Sequence, residues 1–132
     1  MRDGRTRRVQ SDDSSQEFLE QNRASLTLLT GNAAGSEFSL ASARYRVGRA
    51  EGSDIRLEDP SVSAEHASIE LGPDGFGIRD LASTNGVHVN GAAVEACALK
   101  HGDRIAIGTC ELQYVVEPRE GGGGRRWQLD VS

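Results

Sequence analysis

The sequence predicts an all-β fold, an antiparallel sandwich or barrel of roughly ten short strands. Apolar residues recur with period two, turn residues return about every 8–12 positions, and no stretch carries a convincing helical periodicity. At 132 residues, 36% hydrophobic and 27% charged, the chain can build one modest core and hence one domain.

In chain order, residues 1–24 form a polar arm, with Arg2, Arg5, Arg7 and Arg8 followed by Ser11, Asp12, Asp13, Ser14 and Ser15. So little apolar surface cannot offset the entropy of ordering, so the arm is expected to be disordered. Within it, Gln16 to Arg23 could make two helical turns with Phe18, Leu19 and Asn22 on one side. Thr6, in R-T-R-R, is an arginine-flanked threonine and a candidate kinase substrate.

Order is expected from Ser25. Leu26, Leu28 and Thr30 alternate with Thr27 and Leu29, and Gly31-Asn32 with Gly35 turns the chain into Glu37–Leu40. Arg44 to Val47 forms the next strand, ending at Gly48-Arg49, and Ile55 to Leu57 is a short extended piece before Asp59-Pro60. Ala67, Ile69 and Leu71 point one way, Ser68 and Glu70 the other; Pro73-Asp74-Gly75 turns the chain and Phe76 and Ile78 resume the alternation. Val87 and Val89 flank His88, Asn90-Gly91 makes a two-residue turn, and Ile105, Ile107, Leu112, Tyr114 and Val116 complete the series. From Pro118 the chain enters Gly121 to Gly124, a flexible tail over 118–132. Its last residues, R-R-W-Q-L-D-V-S, read either as a docking peptide or as the cut end of a longer polypeptide.

Charge narrows the function. The net charge of -5 is concentrated in residues 25–117, where seven Lys or Arg face thirteen Asp or Glu. Sequence-independent nucleic-acid binding, which needs many cations on phosphates, is disfavoured. Cys97 and Cys110 show no metal-ligand or disulfide spacing and read as small hydrophobes, with no cofactor implied. The N-terminus lacks the apolar run of a secretory signal, and nothing approaches a membrane span, so a cytoplasmic protein without membrane contact is expected. His66 has no nucleophile and orienting residue at a recognisable spacing, and no metal cluster or nucleotide loop is present; an enzyme is not expected.

The remaining polar residues cluster on loops between strands. Gly48-Arg49, Ser63 and His66 in S-x-x-H, Thr84-Asn85-Gly86 and Val89-Asn90-Gly91 together resemble the forkhead-associated (FHA) domain, and the likeness covers residues 25–117. The resemblance implies an eleven-stranded β sandwich that binds phosphothreonine peptides. It implies Arg49, Ser63 and Thr84 on the phosphate and Asn85 on the peptide backbone, with His66 bracing the loops. It also implies a small recess for the γ-methyl that separates threonine from serine.

The chemistry agrees. A phosphothreonine carries about -1.5 to -2 charge and three strong acceptor oxygens, which suit a guanidinium fork with neighbouring hydroxyls. Backbone N–H groups of the 61–65 loop could add donors, and the Asn85 amide can both donate and accept. Gly48 leaves room for close chain approach, while Gly86 and Gly91 serve turns. Two or three charge-assisted bonds of about 1.5–3 kcal/mol each, less the cost of ordering a peptide, suggest about micromolar affinity. Unmodified peptide should barely bind.

The partner expected is thus a protein phosphorylated by an upstream Ser/Thr kinase, recruited without catalysis. Phosphorylated Thr6 could reach the site in cis or in a second copy. Two residues depart from the family pattern: Glu65 brings a negative charge near the phosphate, weakening it unless the side chain points away, and Ser61 leaves an acidic preference in the peptide no better supported than an apolar or basic one. Glu65 and the acidic surface favour an alternative, a phosphate-independent scaffold of the kind found in bacterial secretion or regulatory assemblies.

Overall fold

The computed structural model describes residues 15–119. Eleven strands form two packed sheets: β1 (Asn22–Leu28), β2 (Glu37–Leu40), β3 (Arg44–Gly48), β4 (Ile55–Arg56), β5 (Ala67–Gly72), β6 (Gly75–Asp80), β7 (Val87–Val89), β8 (Ala92–Val94), β9 (Ala96–Ala98), β10 (Arg104–Ile107) and β11 (Cys110–Pro118). One sheet has the order β2-β1-β11-β10-β7-β8 and the other β4-β3-β5-β6-β9.

The period-two pattern is what buries the core. Ala24, Leu26 and Leu28 of β1, Ile105 and Ile107 of β10, and Leu112 and Tyr114 of β11 face inward from one sheet. Val47, Ile69, Phe76 and Ile78 meet them from the other. Each fully buried large side chain contributes about 1.5–3 kcal/mol. Tyr114 keeps its polar end satisfied by accepting the Phe76 N–H at 3.2 Å.

Four boundaries differ from the sequence reading. First, order begins before Ser25. Residues 15–21 form a helix, α1, and β1 starts at Asn22, so the end of the expected arm is structured. Tertiary contacts decide this: Phe18 packs edge-on against Phe76 with ring centroids 6.3 Å apart. Arg119 also donates from Nε to the Leu19 carbonyl at 2.8 Å and from its amide to the Gln21 carbonyl at 2.9 Å. Second, β11 runs on through Pro118, which pairs with Asn22.

Third, β4 runs parallel to β3, with Val47 opposite Ile55 and Gly48 opposite Arg56, whereas an antiparallel arrangement was expected. The chain is brought back alongside β3 by Asp54, whose carboxylate accepts the Arg46 N–H at 2.8 Å. A two-residue strand is too short for alternation to reveal its direction. Fourth, the run A-A-V-E-A-C-A, to which the sequence reading assigns no element, forms β8 and β9, which pair with β7 and β6 in different sheets and change over at Glu95.

Direction along the sandwich matters for function. β11 begins beside Thr109, whose amide donates to Ser61 Oγ at 2.8 Å, and ends opposite Asn22. Its nine residues span about 30 Å at roughly 3.4 Å each. Helix α1 therefore lies at one pole, and the loops after β3, β4 and β6 lie at the other.

Candidate functional site

Strand β3 ends at Gly48, which is buried, and the chain passes it almost in contact: a Cβ built there would strike the Ala64 carbonyl oxygen and lie 2.9 Å from its carbon. The absence of a side chain lets the β3–β4 and β4–β5 loops share a backbone ladder. Arg49 N–H donates to Ser63 O at 3.0 Å, Ala50 N–H to Ala64 O at 3.2 Å, and His66 N–H to Val47 O at 2.9 Å. Arg49 itself is exposed; its Nε donates to Val62 O at 2.9 Å, which fixes the plane of the guanidinium. Among the described residues, no hydrogen bond or ion pair takes up its two terminal nitrogens.

Ser63 stands at the centre. Its amide donates to His66 Nδ1 at 3.0 Å and its hydroxyl oxygen accepts the Thr84 N–H at 3.1 Å, which leaves the hydroxyl proton to donate outward. His66 is fully buried, and its Nε2 donates to Gly86 O at 2.8 Å. With Nδ1 accepting and Nε2 donating, both ring nitrogens are committed to loop backbone. The ring is a brace, with no free nitrogen for catalysis.

The β6–β7 loop is held from within by Asp80, whose carboxylate accepts the Ser83 hydroxyl at 2.6 Å and amide at 3.2 Å; Ser83 Oγ accepts the Gly86 N–H at 2.9 Å. Gly86 has φ 77°, the left-handed region, so a side chain there would strain the turn that aims its carbonyl at His66. Thr84 and Asn85, at its tip, are exposed. Asn85 Nδ2 donates to Ser61 O at 2.8 Å, tying this loop to the one that carries Ser63.

The structure thus joins Arg49, Ser63 and Thr84 through direct hydrogen bonds of their own or of adjacent residues, and places Asn85 beside them. Gly48, His66 and Gly86 lie beneath as supports. Thr6 lies outside the described residues. Glu65 is exposed and its carboxylate reaches Arg46 Nη1 at 3.9 Å. Both side chains are more than half exposed, so the pair is weak and offsets little of the repulsion that the position of Glu65 suggests.

Sequence reasoning missed a bracket behind the site. Asp59 accepts the Ser61 amide at 2.9 Å and hydroxyl at 2.5 Å, and the Thr109 hydroxyl at 3.1 Å. These bonds, the Ser61 hydroxyl first, hold the Asp59 carboxyl below the usual aspartate value. Ser61, considered as a surface near the peptide, is thereby a structural residue whose carbonyl serves Asn85. An Asp two residues ahead of a Ser signals such a turn; nothing local signals Thr109.

Residues 27–117 match the family described as "Inner membrane component of T3SS, cytoplasmic domain". The glycogen accumulation regulator GarA of Mycobacterium tuberculosis is 37% identical over 105 residues, covering 80% of this chain and 65% of that protein. The chain therefore spans about two thirds of the length of that relative. The oxoglutarate dehydrogenase inhibitor of Corynebacterium glutamicum is 35% identical, covering 79% of this chain and 73% of that protein. Among solved structures, one described as a phosphothreonine-dependent FHA domain superposes with a TM-score of 0.68 at 32% identity, covering 74% of this chain and 99% of that one. The FHA domain of the CT664 protein from Chlamydia trachomatis superposes with a TM-score of 0.66 at 38% identity, covering 70% and 96%.

Proposed function

The chain belongs to the forkhead-associated (FHA) domain family, and on that footing we propose that its loop pole is a phosphothreonine-dependent binding site that recruits a phosphorylated protein. The observation that carries this is the environment of Ser63: backbone and ring groups satisfy its amide and one lone pair, leaving a positioned O–H beside a guanidinium with two uncommitted nitrogens. An anion with several acceptor oxygens is the ligand such donors fit. Arg49, Ser63 and Thr84 take the phosphate in this reading. Asn85 reads the peptide main chain next to it, with its second amide hydrogen and its carbonyl oxygen.

A Ser/Thr kinase supplies the mark. The relatives point the same way in kind, one solved neighbour being described as phosphothreonine-dependent. A cytoplasmic setting belongs to the proposal and suits the two free thiols, Cys97 and Cys110. Among the described residues, no helix is long and apolar enough to cross a membrane. Two features favoured a phosphate-independent scaffold, Glu65 and the acidic surface; neither, among the described residues, occupies the outward donors of Arg49 and Ser63. Screening a phosphothreonine peptide library against the parent protein and Arg49→Ala tests the function; selection by the parent alone is the expected result, and no selection by the parent returns the scaffold reading.

Thr6, once phosphorylated, is a candidate ligand for a second copy of the chain. Support comes from the anchoring of α1 at the pole away from the site. Thr6 precedes Ser15 by nine residues, which reach at most about 32 Å when fully stretched. Closure onto the same molecule would consume nearly all of that length over a curved surface. Engagement in trans does not have to bridge the two poles of one molecule.

A further inference from the structure

Arg56 brings a second guanidinium to the rim, and nothing in the reading above uses it. Its place is fixed by the parallel β3–β4 ladder, which sets it opposite Gly48, one residue before Arg49. Its Nε donates to the Arg49 carbonyl oxygen at 3.1 Å, so the side chain lies across the backbone of the phosphate-binding arginine. Its Nη1 stands 2.9 Å from the Glu58 carboxylate.

Arg49, Arg56, Glu58, Asp59 and Pro60 line one open depression of about 460 Å³. Two cations and two carboxylates face it, but the carboxylates are not equivalent. Asp59 is occupied by Ser61 and Thr109. Glu58 is 72% exposed, and among the described residues its one ion partner is Arg56. An exposed pair of that kind is worth little, because water competes for both ends. It can be exchanged at small cost.

Resting on the phosphothreonine reading, we propose that Arg56 is a subsite for a second anionic side chain of the same peptide, close to the phosphothreonine, and that Glu58 occupies it until the peptide arrives. The incoming anion replaces Glu58 on Arg56 and also feels Arg49 across the depression, while Glu58 returns to water. A carboxylate and a second phosphate share this chemistry.

The test uses a phosphothreonine peptide bound by the parent, scanned on both sides of the phosphothreonine with Gln, Glu and phosphoserine. Titrations are made against the parent, Arg56→Gln, Glu58→Gln and Arg44→Gln. At one position Glu is expected to bind the parent about three- to fivefold more tightly than Gln, the range of an exposed ion pair. Arg56→Gln should erase that preference while still binding the Gln peptide, and Glu58→Gln should enlarge it. Arg44→Gln removes an equal charge from the far end of β3 and should leave it intact. Phosphoserine binding no more tightly than Glu identifies a carboxylate as the natural group; about tenfold tighter binding that Arg56→Gln removes identifies a phosphate. A Glu preference that survives Arg56→Gln, or a parent indifferent to anions at every position, overturns the subsite and leaves the phosphothreonine reading standing. A parent that binds no phosphothreonine peptide removes both.

Discussion

His66 and Gly86, twenty residues apart, are joined by a 2.8 Å hydrogen bond from Nε2 to the carbonyl oxygen. The opposite nitrogen of the same ring accepts the Ser63 amide. One buried imidazole therefore sets the separation between the loop that carries Ser63 and the loop that carries Thr84. His66→Ala would leave a cavity and two polar groups without partners, a loss of about 2–4 kcal/mol. Chemical denaturation should show it, with phosphopeptide affinity falling in protein that is still folded.

Gly48→Ala is expected to be nearly as costly for a different reason. Its Cβ would meet the Ala64 backbone, which cannot rotate aside as a side chain would. Forcing the loops apart should cost about 1–3 kcal/mol and weaken binding, because Arg49 and Ser63 are adjacent to the displaced atoms. Thermal unfolding and peptide titration together measure this. Gly52, whose Cβ would meet nothing within 4 Å, is the matched site at which alanine should change neither.

Acid should loosen the bracket behind the site. The Asp59 carboxyl lies below its usual value because Ser61, through hydroxyl and amide, and Thr109 donate to its ionised form. A depressed value in the folded state means that the contribution is present above the unfolded value near 3.8 and is lost as pH falls through the folded one. In Asp59→Asn, part of the acid limb below the unfolded value near 3.8 should flatten, as read by stability against pH or by the amide resonance of Thr109. A limb unchanged by Asp59→Asn would show that the bracket does not couple to folding.

Binding has its own pH dependence. Phosphothreonine loses its second proton near pH 6, so affinity should fall as pH drops through that value. A carboxylate mimic such as Glu at the same position should bind weakly throughout and show no step there.

Phosphorylation of Thr6 should produce association that depends on concentration, since the ligand is expected to enter a second copy. Sedimentation of the fully modified chain should shift towards dimers, and Arg49→Ala should abolish the shift. A modified chain that stays monomeric while its own site becomes protected would show closure in cis.

Much of this was legible in the chain because strands and loops leave different marks. Alternation in Leu26 to Leu28 reports which face is buried, although over Ala67 to Leu71 it misses that Ser68 is buried and Leu71 only half-buried, and Asn90-Gly91 reports a turn in which both residues adopt positive φ. The site residues could be read as a set because an anion needs particular donors on neighbouring loops. What remained hidden depends on contacts remote in sequence. The helical turns around Phe18 were legible, but that they dock on Phe76 and Arg119, and so extend the ordered part beyond Ser25 towards the N-terminus, was not. Thr109 joins the site through Ser61, 48 positions away. The direction of β4 and the small strands β8 and β9 are set by pairing partners, which runs of two or three residues do not advertise.

The most direct test is a calorimetric titration with two peptides of one sequence, one carrying phosphothreonine and the other threonine. Capture of the phosphate by Arg49, Ser63 and Thr84 requires about micromolar binding for the first and at least about 100-fold weaker binding for the second, the worth of two charge-assisted bonds. Arg49→Ala should lose the difference in protein that is still folded, with at most the small drop in melting temperature expected from losing its bond to Val62. Equal affinity for both peptides, or a phosphate preference that survives Arg49→Ala, would contradict it.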